Sequence, residues 1–235
     1  MINKNKILAI IPARSGSKGL PGKNIKEICG KPLIYWTIKS AKESKYIDDI
    51  VISTDSEEIA IVAKKLGARV PFLRPKELAA DDTPSFDVIK HVLDNNSENM
   101  DYVVLLEPTS PLRSSDDIDN AIVSLLGNRE ATSLVGICKT ESQNPAFLIN
   151  CNSENFISGY ENKNIKSLRR QDIKDVFFLE GSIYLSQTIA LLQNKTFYHE
   201  KTIGYEFPKW KSLEIDDIYD FIMVEALMRY KEGIL

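Results

Sequence analysis

The chain has 235 residues, 43% hydrophobic and 27% charged, enough apolar material for a sizeable core and the make-up of an ordinary globular protein. Thirty Lys and Arg against 33 Asp and Glu give a net charge of −3, so no global basic field exists for nucleic acid or an anionic membrane, although a local patch stays open. The three cysteines (Cys29, Cys138 and Cys151) stand far apart without Cys-x-x-Cys spacing, which excludes a disulfide framework or zinc knuckle and reads as buried small side chains; two histidines, His91 and His199, leave little for a His-based metal site.

Taken in order, Ile7–Ile11 reads as a buried strand. It is too short for a signal-peptide core, and no apolar run approaches the roughly 18 residues of a membrane span, so a cytoplasmic location without a membrane partner is expected. Pro32 at the first helical position, with Ile34, Ile38 and Ala41 on one face, predicts a helix to about Ser44; Tyr35 and Trp36 read as core. Ile50–Ser53 is a short strand, and Asp55-Ser56-Glu57-Glu58 reads as a capping box opening a helix through Lys65. Val70–Leu73 is read as a strand or extended segment. Thr83 caps and Pro84 starts a helix that turns Phe86, Ile89, Val92 and Leu93 inward, and His91 on it is a packing or surface residue. Tyr102–Leu106 is a strand, Ser114 or Ser115 caps a helix to about Gly127, and Ser133–Cys138 is a further strand. The polar, aperiodic stretch from about 140 to 176 is read as an irregular insertion, a partner-subunit arm or a lid. Val176–Leu185 returns as a strand, and a helix runs from about Asp217 to Lys231 with Ile218, Phe221, Ile222, Val224 and Leu227 apolar. This alternation predicts an α/β fold, a single unit over 1–235 with a mostly parallel sheet covered on both faces, its ligands at the carboxyl ends of the strands.

The chemistry concentrates after the first strand, in Ile11-Pro12-Ala13-Arg14-Ser15-Gly16-Ser17-Lys18-Gly19-Leu20-Pro21-Gly22-Lys23-Asn24. Three glycines let backbone N–H groups converge, and three cations with no acid among them suit a polyphosphate. The spacing is not that of a Walker A loop, since five residues separate Gly16 from Gly22 and Asn24 stands where Ser or Thr would, and it is not a Gly-x-Gly-x-x-Gly fingerprint.

This loop resembles the signature of the acylneuraminate cytidylyltransferases (CMP-sialic acid synthetases). Ser53-Thr54-Asp55, Leu73-Arg74-Pro75 with Glu77-Leu78-Ala79, Pro108-Thr109-Ser110-Pro111-Leu112-Arg113, Arg170-Gln171, Gly181 with Ile183-Tyr184, and Ser212-Leu213-Glu214-Ile215-Asp216 follow in the family's order over nearly the whole chain. Asn24 resembles this family more than the related Kdo cytidylyltransferases. The resemblance implies a Rossmann-like three-layer nucleotidyltransferase fold, with the 140–176 segment as a dimerisation arm in a homodimer. It further implies transfer of CMP from CTP to the anomeric hydroxyl of a nonulosonic acid, with Mg²⁺ and release of pyrophosphate.

By the same resemblance, Ala13, Arg14, Ser15, Gly16, Ser17, Lys18, Lys23 and Asn24 hold the nucleotide, and Arg74 and Ser85 read cytosine. Arg14, Lys23 and Asp216 serve catalysis, with Lys23 steadying the leaving pyrophosphate. Glu214 and Asp216 take the metal, two residues apart on one face of an extended stretch, with Asp217 a further carboxylate whose ordinary role is to cap the last helix. Glu107, Thr109, Ser110, Arg170, Glu180 and Gly181 face the sugar, with Arg169 able to share the role of Arg170; turn chemistry competes for Thr109, Ser110 and Arg113, and helix capping for Asp55.

One departure from the family pattern falls in the metal pair, where Glu214 replaces an Asp; the others fall on the sugar side, with Glu107 where many relatives have Gln, Glu180 where Asn is frequent and Phe147 where some have Lys. An amide that gives and accepts becomes, at Glu107, an anion that only accepts. The acceptor is therefore expected to be another member of the sialic-type acids, such as legionaminic, pseudaminic or an amino-bearing variant. Cytidylyl transfer to Kdo or a polyol phosphate, and a non-catalytic nucleotide-binding protein, are the competing readings.

Overall fold

The computed structural model describes residues 5–141, 143–160, 169, 173–231 and 233. Its strands are β1 (Ile7–Pro12), β2 (Glu27–Ile28), β3 (Lys31–Pro32), β4 (Asp49–Ser53), β5 (Tyr102–Leu105), β6 (Ser133–Lys139), β7 (Ile149–Cys151), β8 (Ile157–Gly159), β9 (Phe177–Gln187) and β10 (Thr202–Phe207). The helices are α1 (Leu33–Glu43), α2 (Glu57–Lys65), α3 (Ser85–Asp94), α4 (Ser115–Gly127), α5 (Thr188–Asn194) and α6 (Ile218–Lys231). Among the described residues no helix is long and apolar enough to cross a membrane.

Six strands form one sheet in the order β10-β6-β9-β5-β1-β4, parallel except for β9, which runs antiparallel to both β5 and β6. β1 is apolar at every position because both of its faces are covered. Ile7, Ala9 and Ile11 pack with Ile34 and Ile38 of α1, Ile59 of α2 and Ile118 of α4, whereas Leu8 and Ile10 pack with Ile89 and Val92 of α3 and Leu191 of α5. The mostly parallel, three-layer α/β arrangement read from the sequence is thus present.

Several local expectations change. The N-cap of α2 is Ser56, whose hydroxyl accepts from the Ile59 N–H, and not Asp55, whose carboxylate is engaged elsewhere. Val70–Leu73 is not a strand, since only Arg69 bridges to Val51 before Pro71 and the half-exposed Leu73. Pro32 and Pro84 sit at the N-cap, one place before the helix, because each lacks the N–H and keeps an extended ψ. Thr83 does not cap α3; its hydroxyl turns back to the Glu77 carbonyl. Ser114 caps α4 in a full capping box with Asp117. α5 and β10 were not expected from sequence. Cys138 is buried, but Cys151 is exposed and Cys29 half-buried, and Tyr35 and Trp36 are half-buried rather than core.

Part of the 140–176 stretch lies outside the described residues; within its described part β7 and β8 form a short antiparallel hairpin with exposed Phe156, Ile157 and Tyr160. A third apolar cluster joins Leu20 of the cationic loop, Leu33 of α1, Leu112, Ile215, and Phe221 and Val224 of α6. On α6 itself Ile218 and Ile222 face outward, contrary to the expected apolar stripe, because the helix packs through one narrow face only. This cluster brings residues 214–217 against the loop after β1.

Candidate functional site

The site lies at the carboxyl ends of β1, β4 and β5, where loops in a parallel sheet gather. β1 passes directly into the loop, with Ala13 still donating to the Ser53 carbonyl at 2.9 Å. Asp55, at the end of β4, then takes the Ser15 N–H at 2.9 Å and its hydroxyl at 2.6 Å. Buried Asn24 donates its amide to the Arg14 carbonyl at 3.0 Å. Asp55 and Asn24 therefore shape the loop from both sides. Gly22 takes a left-handed φ of 66° ahead of the single 3-10 turn Lys23–Ile25. Gly19 lies flat against the backbone carbonyl of Asp216, where a Cβ would collide, whereas a Cβ on Gly16 would meet nothing within 4 Å.

The loop's cations are not unopposed. Arg14 pairs with Asp81 at 2.5 Å, and Lys18 pairs with the other oxygen of the same carboxylate. Lys23 donates to the Ile215 carbonyl at 2.6 Å and meets Asp216 at 3.2 Å. Asp81 was absent from the sequence reading; the only signal was an Asp81-Asp82 pair just before Thr83-Pro84.

Beside Arg14 a cavity is lined by Pro12, Arg74, Asp81, Ser85 and Glu107. Arg74 is only 5% exposed, and its Nε and Nη2 have no hydrogen-bond partner. Burial holds this guanidinium below its usual pKa, with Asp55 working in the opposite direction. Orphaned donors in a buried cation are costly unless a ligand acceptor satisfies them. Ser85 opens α3 on the rim and is exposed; Gly16 is exposed with nothing within 4 Å of where a Cβ would stand, and half-buried Ser17 donates its N–H to the Ser15 carbonyl at 3.0 Å.

On the other side, β5 leads into Glu107 and the turn to Arg113. Arg113 is buried and donates to the carbonyls of Glu107 at 3.4 Å and Ser182 at 2.5 Å, fastening the turn to β9. Ser110 is fully buried within that turn, and the Thr109 carbonyl accepts from Ile215 N–H at 2.9 Å. Glu180, 1% exposed on β9, accepts from the Ser182 N–H at 3.2 Å and leaves Oε1 unpartnered against Gly136, at the bulge of β6. The next residue, Gly181, gives its N–H to Glu214 Oε1 at 2.5 Å, an approach any Cβ there would block. Burial and the nearby Glu214 charge push Glu107 up to about 7; burial, more than the Glu214 charge, does the same for Glu180. Glu214 is itself raised by burial and by Asp216. Arg169 is exposed, and Arg170 lies outside the described residues.

Among the described residues no cluster of three or more His, Cys, Asp or Glu converges as a metal cage. Glu214 and Asp216 remain as a two-carboxylate pair of hard oxygens, the donor set of a cation that completes its shell with water and phosphate oxygens. Asp217 is spent on capping, its carboxylate accepting from the Tyr219 and Asp220 N–H groups at 2.7 and 3.0 Å.

A family profile described as Cytidylyltransferase matches residues 8–233. The chain belongs to the cytidylyltransferase family. Against the CMP-N,N'-diacetyllegionaminic acid synthase of Legionella pneumophila this cytidylyltransferase-family chain is 35% identical, over 98% of its own length and 99% of the relative's. It is 33% identical to the pseudaminic acid cytidylyltransferase of Campylobacter jejuni, over 95% and 97% of the two chains. It is 36% identical to the N-acylneuraminate cytidylyltransferase of Streptococcus agalactiae serotype V over 93% of its own length, but spans only 52% of that relative. In fold it is similar to a solved CMP:2-keto-3-deoxy-manno-octonic acid synthetase complexed with CTP, with a TM-score of 0.73 at 16% identity over 96% and 99% of the chains.

Proposed function

We propose that this chain is a CTP-dependent nucleotidyltransferase that moves CMP to the anomeric hydroxyl of a nonulosonic acid and releases pyrophosphate. The observation that carries the reading is the buried Arg74, whose orphaned N–H groups share one cavity with Arg14 of the cationic loop. Arg74 and Ser85 then serve a base with carbonyl and amino groups, and Arg14, Lys18 and Lys23 serve the phosphates beside it. Phosphoryl transfer asks for charge neutralisation and in-line positioning more than for covalent help. Lys23, anchored between the loop and Ile215, holds its charge still as the pyrophosphate departs.

Glu214 and Asp216 would hold Mg²⁺, which when bound neutralises phosphoryl oxygens or lowers the pKa of the attacking hydroxyl. Glu107, which lines the cavity beside Arg74, supports an acceptor that presents hydroxyl, amide or amine donors there, whereas the buried Glu180 lies behind that surface. The legionaminic and pseudaminic acids named for the relatives are the acceptor class to try first. The reading includes a homodimer, supported by the exposed apolar side chains of the β7–β8 hairpin and of Phe177–Leu179 at the start of β9, and a cytoplasmic location, where CTP is made available to such an enzyme.

The test is pyrophosphate release with CTP, UTP or ATP, with Mg²⁺ or a chelator, across a panel of nonulosonic acids, Kdo and a polyol phosphate. Turnover with CTP, Mg²⁺ and a nonulosonic acid is expected. Preference for UTP or ATP would overturn the assignment of Arg74 and Ser85, and CTP binding without any release would replace the enzyme with a nucleotide-binding protein.

A further inference from the structure

The anion that faces the phosphate loop belongs to the chain itself. Asp81 takes Arg14 Nη1 at 2.5 Å on one oxygen and pairs with Lys18 Nζ through the other. It is carried on the short run between the 3-10 turn Lys76–Leu78 and α3, and it lines the same cavity as Arg14, Arg74 and Ser85. The third loop cation is arranged differently. Lys23 is only 11% exposed at its side chain and is held by a backbone carbonyl that nothing can carry away, whereas Lys18 is 83% exposed and Asp81 39%. Exposed ion pairs are weak and exchangeable. A phosphoryl group that uses Arg14 or Lys18 competes with the Asp81 carboxylate for them, because a cation already paired with one anion offers less to a second.

We propose that Asp81 is a positioning residue that acts as an internal competitor for phosphoryl anions at Arg14 and Lys18. In the absence of nucleotide it keeps both side chains over the pocket. It makes the loop's hold on phosphates reversible, and it recaptures the two cations as pyrophosphate leaves. A site without it would bind polyphosphate more tightly and release it more slowly. This rests on the reading that the loop after β1 holds the triphosphate.

Calorimetric titration of CTP, pyrophosphate and cytidine into the wild type, Asp81→Asn and the charge-matched neighbour Asp82→Asn tests the proposal, together with pyrophosphate inhibition of the forward reaction. Loss of two exposed pairs predicts that Asp81→Asn binds CTP and pyrophosphate about fivefold more tightly. The KM for CTP and the inhibition constant of pyrophosphate should fall by the same factor, with cytidine unchanged and Asp82→Asn like the wild type. A structural role alone would not tighten pyrophosphate binding. The proposal is overturned if Asp81→Asn weakens or leaves unchanged the binding of CTP, if cytidine shifts with it, or if Asp82→Asn does the same. Unchanged affinity in a variant that still binds CTP removes only the role of Asp81, whereas failure of the wild type to bind either CTP or pyrophosphate removes the reading of the loop as well.

Discussion

The Lys23 ammonium donates to the Ile215 carbonyl at 2.6 Å across 192 residues of sequence, so the loop after β1 and the carboxylate-bearing strip before α6 are one structural unit. Lys23→Ala should lower kcat by about 10²- to 10³-fold, the scale for removing a positioned charge at a developing anion. It should cost about 1 kcal/mol of stability for the lost hydrogen bond. Pyrophosphate-release kinetics beside a denaturant melt measure both, and full activity or outright unfolding would exclude the role given to it.

Arg74 offers an opposite pairing of effects. Its Nε and Nη2 have no hydrogen-bond partner, so Arg74→Ala removes a buried cation whose desolvation Asp55 and Glu107 offset only in part, and it should leave the melting temperature unchanged or higher. The KM for CTP should rise at least about tenfold, as expected for losing hydrogen bonds from a charged donor. A drop in stability with normal KM would make Arg74 a scaffold residue.

Two glycines of the same loop should respond differently. Gly19→Ala drives a methyl group into the Asp216 carbonyl and should cost about 1–3 kcal/mol while also lowering turnover. Gly16→Ala meets nothing within 4 Å and should melt like the wild type, so any loss of CTP affinity there reports on the approach of the nucleotide. Thermal melts of the two variants decide the point.

The buried carboxylates give a pH dependence with a definite sign. Glu107 and Glu180 are raised from 4.5 to about 7 in the folded chain, so between those values the native state binds more protons than the unfolded one. Stability therefore falls as pH rises from about 4.5 to 7, on the order of 2 kcal/mol per group. Glu180→Gln should flatten this slope, as read from chemical denaturation at several pH values; an identical slope would show that Glu180 does not titrate there.

Glu107→Gln places a group that both gives and accepts hydrogen bonds in the lining of the cavity beside Arg74. The ranking of acceptors should shift toward N-acetylneuraminate, measured as kcat/KM across the nonulosonic acid panel. An unchanged ranking would remove Glu107 from the sugar side.

What the sequence disclosed follows from how local each signal was. The apolar run of β1, the Ser114–Asp117 box and the glycine-spaced cations are all written within a few residues, and each reads directly. β10 is hard to read because Gly204 interrupts it; in the fold a Cβ there would press within 2.5 Å of Ile137 Cδ1, the far end of a side chain on the neighbouring strand. Val70–Leu73 reads as a strand or an extended segment, and Pro71, which has no N–H for a ladder, rules out the strand. Asp55 read as a cap from its spacing to Glu58, yet its neighbour Ser56 took that place and freed Asp55 for Ser15. The partnership of Asp81 with Arg14 and Lys18 is a property of the folded sheet alone, joining segments that carry no shared pattern.

The apolar seam that runs from Leu20 through Ile215 to Phe221 and Val224 ties the two ends of the described chain together. Every strand of the main sheet precedes α6, so the loop after β1 is floored by the last helix in chain order and not by the sheet that it leaves. Loosening α6 alone would therefore disturb that loop before it disturbs the sheet.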